Sequence, residues 1–238
     1  MRGLHDSDLL LVTDGLGPIE RLLIDELRSR GVTPFPLSLI DAELEPSRAA
    51  AAVLVGDAVK AYAVSALFER AANPPRAYEL TINRLLLYRE LGDKSPRPVV
   101  AFAPEPVSNA IRRRGLRYIG ALTPSLGLDG AVTGWAGGKS VAEHRLYIDN
   151  PLAKVNVLIP EPASIVKARV IGGECSGCAG LEEQAIYAAE RAGCVFCDVF
   201  LGVDGDEPPL VIGLNASIEV TSEAVHPLAA ALARWLHG

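Results

Sequence analysis

The sequence predicts an α/β fold: a parallel α/β domain over residues 1–72, then an α+β part over 73–238. Three patterns carry this prediction. Short apolar runs alternate with helix-period segments in the first third, which is the signature of a parallel sheet. Two proline-rich joints, Asn73-Pro74-Pro75 and Pro96-Arg97-Pro98, interrupt the chain, because residues before proline are pushed off helix. The last third alternates strand-like runs with tight turns and ends in a helix.

Leu9–Val12 reads as a buried strand bounded by the turn set Asp14-Gly15-Leu16-Gly17-Pro18. Pro18 opens a helix, since its missing N–H would be unpaired there in any case. Ile19, Leu22, Leu23 and Leu27 line one face of it, and Gly31 ends it. Strands are expected at 34–40 and 52–55, and a helix over 58–72. After the first proline joint a helix is expected from Tyr78 to Leu91, and a strand over 99–102. A glycine-rich middle follows, the flexible part running over about 99–154. The C-terminal part, 155–238, offers strands at 155–159, 165–171, 195–201 and 210–214. Helices are expected at 181–192 and 226–236, and Asp204-Gly205-Asp206 reads as a hairpin turn.

The net charge of −6 argues against a general nucleic-acid or membrane-surface binder. The basic run Arg112-Arg113-Arg114 is short and reads as a solvated helix end. No signal peptide and no apolar stretch of membrane-spanning length is visible, so a cytoplasmic protein is expected. Its cysteines should then be reduced thiols.

All four cysteines fall in two Cys-x-x-Cys pairs: Cys175 with Cys178, and Cys194 with Cys197. The spacing touches the zinc-ribbon pattern, so a four-cysteine zinc site is one alternative. A strand through Cys197 opposes it, because residues three apart on a strand face opposite ways. Packing as small hydrophobes and redox chemistry are the other readings.

Gly134-Trp-Ala-Gly137-Gly138-Lys139-Ser140 ends like a P-loop but has Thr133 where that motif needs glycine. A glycine-rich turn between strands fits better, and its backbone N–H groups could lie over phosphates. Gly15-x-Gly17 lacks the third glycine of a dinucleotide fingerprint and reads as a turn. Asp198 and Asn215 fall on the two strands of the terminal hairpin, where two side-chain oxygens could hold Mg2+ against a triphosphate.

Taken in order, these pieces resemble the ATP-grasp superfamily, with the likeness strongest to the tyramine–glutamate ligase branch of methanofuran synthesis. Ala52-Val-Leu-Val55, Asn73-Pro-Pro75 and Thr81-Ile-Asn83-Arg84-Leu-Leu-Leu-Tyr88 look like its N-terminal strand and following helix. Gly134 to Val141 resembles the loop over the ATP phosphates. Val155 to Pro160, with Leu158 at its centre, resembles the strand and hinge that meet adenine. Glu183-Gln184, Asp198 and Asn215 match further family positions.

The resemblance implies ATP and Mg2+ as cofactors and small-molecule carboxylate and amine substrates. It implies an acyl-phosphate route to an amide, serving synthesis of a one-carbon carrier cofactor. Arg84, Gly134, Gly137, Gly138, Lys139 and Leu158 would bind the nucleotide, Lys167 and Lys139 would act catalytically, and Asp198 and Asn215 would hold magnesium. Departures stand beside this. Ala131-Val132 occupies the family's lysine position, Gly213 its metal-binding glutamate, and Asn215-Ala216-Ser217 its Asn-Pro-Arg. Lys139 or Lys167 is the candidate to replace the lysine, and Glu219 to replace the glutamate. The departures at Ala131 and Gly213 favour one alternative to a ligase, a non-catalytic binding or assembly subunit, and the cysteine pairs leave a second, a zinc-stabilised interaction protein. A homo-oligomer is left open.

Overall fold

The structure, a computed structural model, describes residues 8–40, 43–101, 104–121, 156–160 and 162–238. The first unit is a four-stranded parallel sheet in the order β2-β1-β3-β4. Its strands are β1 (Asp8–Thr13), β2 (Thr33–Ser38), β3 (Ser47–Leu54) and β4 (Phe68–Ala71). Helices α1 (Pro18–Ser29) and α2 (Ala58–Ser65) connect them. Pro18 stands at the start of α1, and Glu20 reaches back to accept from the Gly17 N–H at 2.8 Å. Leu23, Ile24 and Leu27 bury the inner face of α1.

The helix expected over 58–72 is shorter than predicted. It stops at Ser65, the chain turns through the Leu67 N–H to Val64 carbonyl bond, and Phe68–Ala71 adds an edge strand to β3. Burying Phe68 and pairing β3 outweighs continued helix here. The helix expected from Tyr78 to Leu91 is two: α3 (Pro75–Ile82) and α4 (Arg84–Leu91). Asn83 breaks it, because its side chain accepts from the Leu86 N–H and caps α4. The apolar spacing runs straight through this joint and hides it.

A three-stranded antiparallel sheet follows in the order β5-β7-β6, built from β5 (Val99–Ala101), β6 (Leu116–Ala121) and β7 (Asn156–Pro160). Helix α5 (Pro104–Arg114), which the sequence did not suggest beyond a basic helix end, lies between β5 and β6. Arg112, Arg113 and Arg114 are exposed in its last turn, where cations suit the helix dipole.

The third sheet is antiparallel, β11-β10-β8-β9, from β8 (Ser164–Ile171), β9 (Glu174–Ser176), β10 (Phe196–Val203) and β11 (Leu210–Asn215). Helix α6 (Glu182–Ala192) covers one face with Ala185, Ala188, Ala189 and Ala192, all buried. Alanines let the helix approach Ala168, Val170, Val199 and Leu201 closely, and these belong to the same core cluster. Helix α7 (Ser222–His237) packs on α1 and buries Phe196 and Ile171 with Leu228, Leu232 and Leu236. The larger core cluster runs from Val12 and Val53 through Tyr78 to Val199 and Leu214, so the parallel and antiparallel sheets share an interior.

Asn73 joins them. It is fully buried, and its amide makes four hydrogen bonds. Nδ2 donates to the Phe196 carbonyl (2.7 Å) and the Ala216 carbonyl (3.1 Å), while Oδ1 accepts from the N–H groups of Val195 (2.9 Å) and Phe196 (3.3 Å). One side chain thus fixes the start of β10 and the end of β11. Replacing Asn73 by Ala strands four backbone groups, three of them in buried bonds, and is expected to cost about 3 kcal/mol. Urea unfolding checks it: a loss below about 1 kcal/mol, the worth of a single hydrogen bond, would show that the backbone repairs itself.

Two buried tyrosines tie the same layers. Tyr78 donates to the Val53 carbonyl and Tyr88 to the Ile212 carbonyl. Burial pushes the Tyr88 hydroxyl up to about 12, with nearby Arg84 opposing, and raises Tyr78 too. In the unfolded chain tyrosine ionises near 10, so between pH 10 and about 12 the unfolded state sheds a proton that the folded state keeps. Stability is therefore expected to fall across that window, by up to about 1.4 kcal/mol per pH unit for Tyr88. Tyr88→Phe should flatten the decline; equal slopes for the two proteins would assign it to other groups.

Candidate functional site

The site grows from strand alternation and register. On β10, residues 198, 200 and 202 share one face, opposite to the face that carries Val199 and Leu201 under α6. Asp198 pairs across to Arg169 on β8 and to Asn215 on β11, and Phe200 pairs to Lys167 and Gly213. Paired residues share a face, so Lys167, Arg169, Asp198, Phe200 and Asn215 stand together on the side that α6 leaves uncovered.

There Arg169 grips Asp198 with two parallel bonds, Nε to Oδ1 at 2.7 Å and Nη2 to Oδ2 at 3.0 Å. Lys167 Nζ adds a contact to Oδ2 at 3.2 Å. The Asp198 side chain is 2% exposed, Arg169 19% and Lys167 49%. Lys167 Nζ also sits 5.6 Å from the centre of the Phe200 ring, a favourable cation–aromatic contact. Hydrogen bonding to Asp198 raises the pKa of Arg169 against the opposing effect of burial, and Glu219 adds a smaller attraction. A buried carboxylate is costly unless paired, so this cluster makes Asp198 tolerable in the sheet.

The Asn215 amide is turned to its own loop. Oδ1 accepts from the Ser217 N–H at 2.9 Å, and Nδ2 donates to the Ser217 carbonyl at 3.1 Å. Strand β11 ends at Asn215, so Glu219 does not continue that strand's face. Ser217 is buried, and its Oγ has no hydrogen-bond partner.

Further along, toward the β10–β11 hairpin, a cleft of about 580 Å3 opens. Ile159, Pro160, Pro162, Gly202, Leu210 and Ile212 form its apolar wall, with Asp93, Arg97, Asp204 and Glu207 around it. Gly202 lets this wall close tightly: a Cβ would lie 3.1 Å from both Ile212 Cγ2 and Pro162 Cβ, so these side chains would have to shift. It lies on the same face of β10 as Asp198 and Phe200, four residues from Asp198, or about 13 Å along a strand. The cleft's Gly202 and the pair of cations thus belong to one face of the sheet.

The other residues singled out in the sequence stand elsewhere. Leu158 is fully buried on the central strand of its sheet and is not among the cleft residues; its neighbour Ile159 is. Arg84 is buried at the start of α4, near enough to Tyr88 to influence its ionisation, and does not line the cleft. Cys175 and Cys178 are joined in a disulfide, not held as reduced thiols. Gly177, at φ +71°, turns the chain between them and brings Cys178 back beside the end of β9. No group of three or more His, Cys, Asp and Glu side chains gathers to hold a metal among the described residues. Cys194 is partly buried and Cys197 fully so. A hydrogen bond with Cys194, reinforced by burial, raises the Cys197 thiol well above its ordinary value. Strand β10 already begins at Phe196, so Cys197 faces away from Asp198 and into the α6 core. Gly134, Gly137, Gly138 and Lys139 lie outside the described residues.

Arg169 is the site residue the sequence reading missed. Its signal was present: it is two residues from Lys167 on one strand and so shares its face.

No family model and no curated protein matches this sequence. Solved structures do. A RimK domain ATP-grasp protein from Sphaerobacter thermophilus superposes with a TM-score of 0.72 at 21% identity, over 97% of this chain and 100% of that one. The chain has the ATP-grasp fold. The ATP-grasp ligase PsnB, in complex with a precursor variant, Mg and ADP, gives 0.64 at 18% identity over 98% of this chain and 99% of that one. D-cycloserine synthetase DcsG gives 0.62 at 16%, over 96% and 99%. At these identities the likeness establishes architecture. No described helix is long and apolar enough to cross a membrane.

Removing the guanidinium should expose how much Asp198 depends on it. Arg169→Met leaves a buried carboxylate with Lys167 alone and is expected to destabilise by about 3 kcal/mol. Adding Asp198→Asn should recover part of that, since no buried charge remains. Purely additive losses in a double-mutant cycle would show that the two side chains are not coupled.

Proposed function

We propose that the protein binds ATP along the face shared by the cleft and the Lys167–Arg169 pair, and uses it to join a carboxylic acid to an amine. The observation that carries this reading is the order of chemistry on one sheet face within an ATP-grasp fold: an apolar slot, then Phe200, then two cations about a buried aspartate. A flat apolar base suits the slot, and phosphates suit the cations.

In the reaction, a carboxylate oxygen attacks the γ-phosphorus and the bond to the ADP oxygen breaks. The amine nitrogen then bonds the acyl carbon, the carbon–phosphate oxygen bond breaks, and the amine gives up a proton. Lys167 would offset phosphate charge. Lys139 and the loop glycines Gly134, Gly137 and Gly138 belong to this proposal through sequence resemblance, as does an acid–amine pair from a one-carbon carrier cofactor pathway. The division near residue 72 is proposed on the same ground.

A second reading, a non-catalytic nucleotide-binding subunit, is favoured by Gly213, a buried glycine that offers the site no side chain.

Hydroxylamine separates the two, since it captures any acyl-phosphate as a hydroxamate. With ATP and a panel of amino and dicarboxylic acids, the ligase reading expects ADP and hydroxamate to appear together for at least one acid. ADP binding without turnover across the panel supports the subunit instead. Absence of any ATP or ADP binding removes both.

A further inference from the structure

The Asp198–Asn215 pair does not fit a protein-held magnesium ion. Mg2+ needs oxygen ligands in near-octahedral geometry and is usually held by one or two carboxylates with phosphates and waters. Asp198 is the buried carboxylate here, and both of its oxygens are taken, by Arg169 at 2.7 and 3.0 Å and by Lys167 at 3.2 Å. Asn215 Oδ1 already accepts from Ser217. Gly213, beside them on β11, has no side chain to offer. Seating a dication on Asp198 would break a bidentate bond and set the ion against two fixed cations.

Read the other way, the arrangement supplies what an anion needs. Arg169 uses two of its five N–H donors on Asp198, and Lys167 is half-exposed with donors to spare. Asp198 then acts as the anchor that orients both cations, since it is itself almost wholly enclosed. Glu219, the other acidic group acting on Arg169, is exposed, so solvent screens it.

We infer that Lys167 and Arg169 take the place of a protein-bound metal and hold the phosphates of the nucleotide directly, so that nucleotide binds without magnesium. This rests on the reading of the cleft as a nucleotide site. Lys167 and Arg169 are binding residues in this account, and Asp198 is a positioning residue.

Titration calorimetry of the full chain with ADP, once with magnesium chloride and once with excess EDTA, tests it. The two dissociation constants should agree within about threefold, less than one strong hydrogen bond would change them. In EDTA, Lys167→Met should weaken ADP by about tenfold or more, as loss of a charge-assisted bond requires, while leaving adenosine unchanged. Lys167→Arg should restore most of the affinity. Lys167 is half-exposed, so this variant should fold even where Arg169→Met does not. Binding of ADP with magnesium alone overturns the inference and leaves the nucleotide reading standing, as does an unchanged affinity in Lys167→Met. If neither ADP nor adenosine binds, tripolyphosphate in EDTA decides. Binding that Lys167→Met abolishes keeps the metal-free anion site and removes the nucleotide, and no binding removes both.

Discussion

The amide of Asn73 is the constraint on which the rest of the molecule depends. It lies on the joint between the parallel sheet and the helices that follow, and it spends all its hydrogen-bonding capacity on the ends of two distant strands. Because it holds the Phe196 backbone, it fixes β10 two residues before Asp198. Because it holds the Ala216 carbonyl, it fixes β11 one residue after Asn215. Thr81 adds a clamp by accepting from the Ala216 N–H, and Tyr88 reaches the Ile212 carbonyl on the same strand. The N-terminal half of the chain thereby sets the register of the sheet that carries the site.

The alanine face of α6 does the complementary work. Small side chains let it close one side of β8, β10 and β11, which leaves charged residues a single place to go. Asp198 survives burial there because a guanidinium fork and an ammonium neutralise it. The same grouping sets two cations on the sheet face that also carries Gly202 of the cleft. In the proposed reading, stability and recognition draw on one cluster: the carboxylate needs the cations to fold, and the cations need the carboxylate to stay in place.

Much of this was readable from residues alone. Leu9–Val12, Pro18 at a helix start, and the strands around Asp198 and Asn215 follow from alternation and capping, and the structure places elements there. Position on opposite strands of a hairpin was enough to bring Asp198 and Asn215 into register. What escaped was tertiary. A helix period ran through Asn83 and past Ser65, because a cap and an edge strand leave no mark on apolar spacing. The pairing of Cys175 with Cys178 depended on a turn at Gly177, and the role of Arg169 on which residue stood across the strand.

The account stands most directly on where phosphate and metal lie, and a crystal structure of the protein grown with ADP and magnesium would show it. The arrangement predicts phosphate oxygens within hydrogen-bond distance of Lys167 Nζ and Arg169, with the Arg169–Asp198 fork intact. A magnesium ion coordinated by Asp198 and Asn215, with Arg169 displaced from the carboxylate, would contradict it.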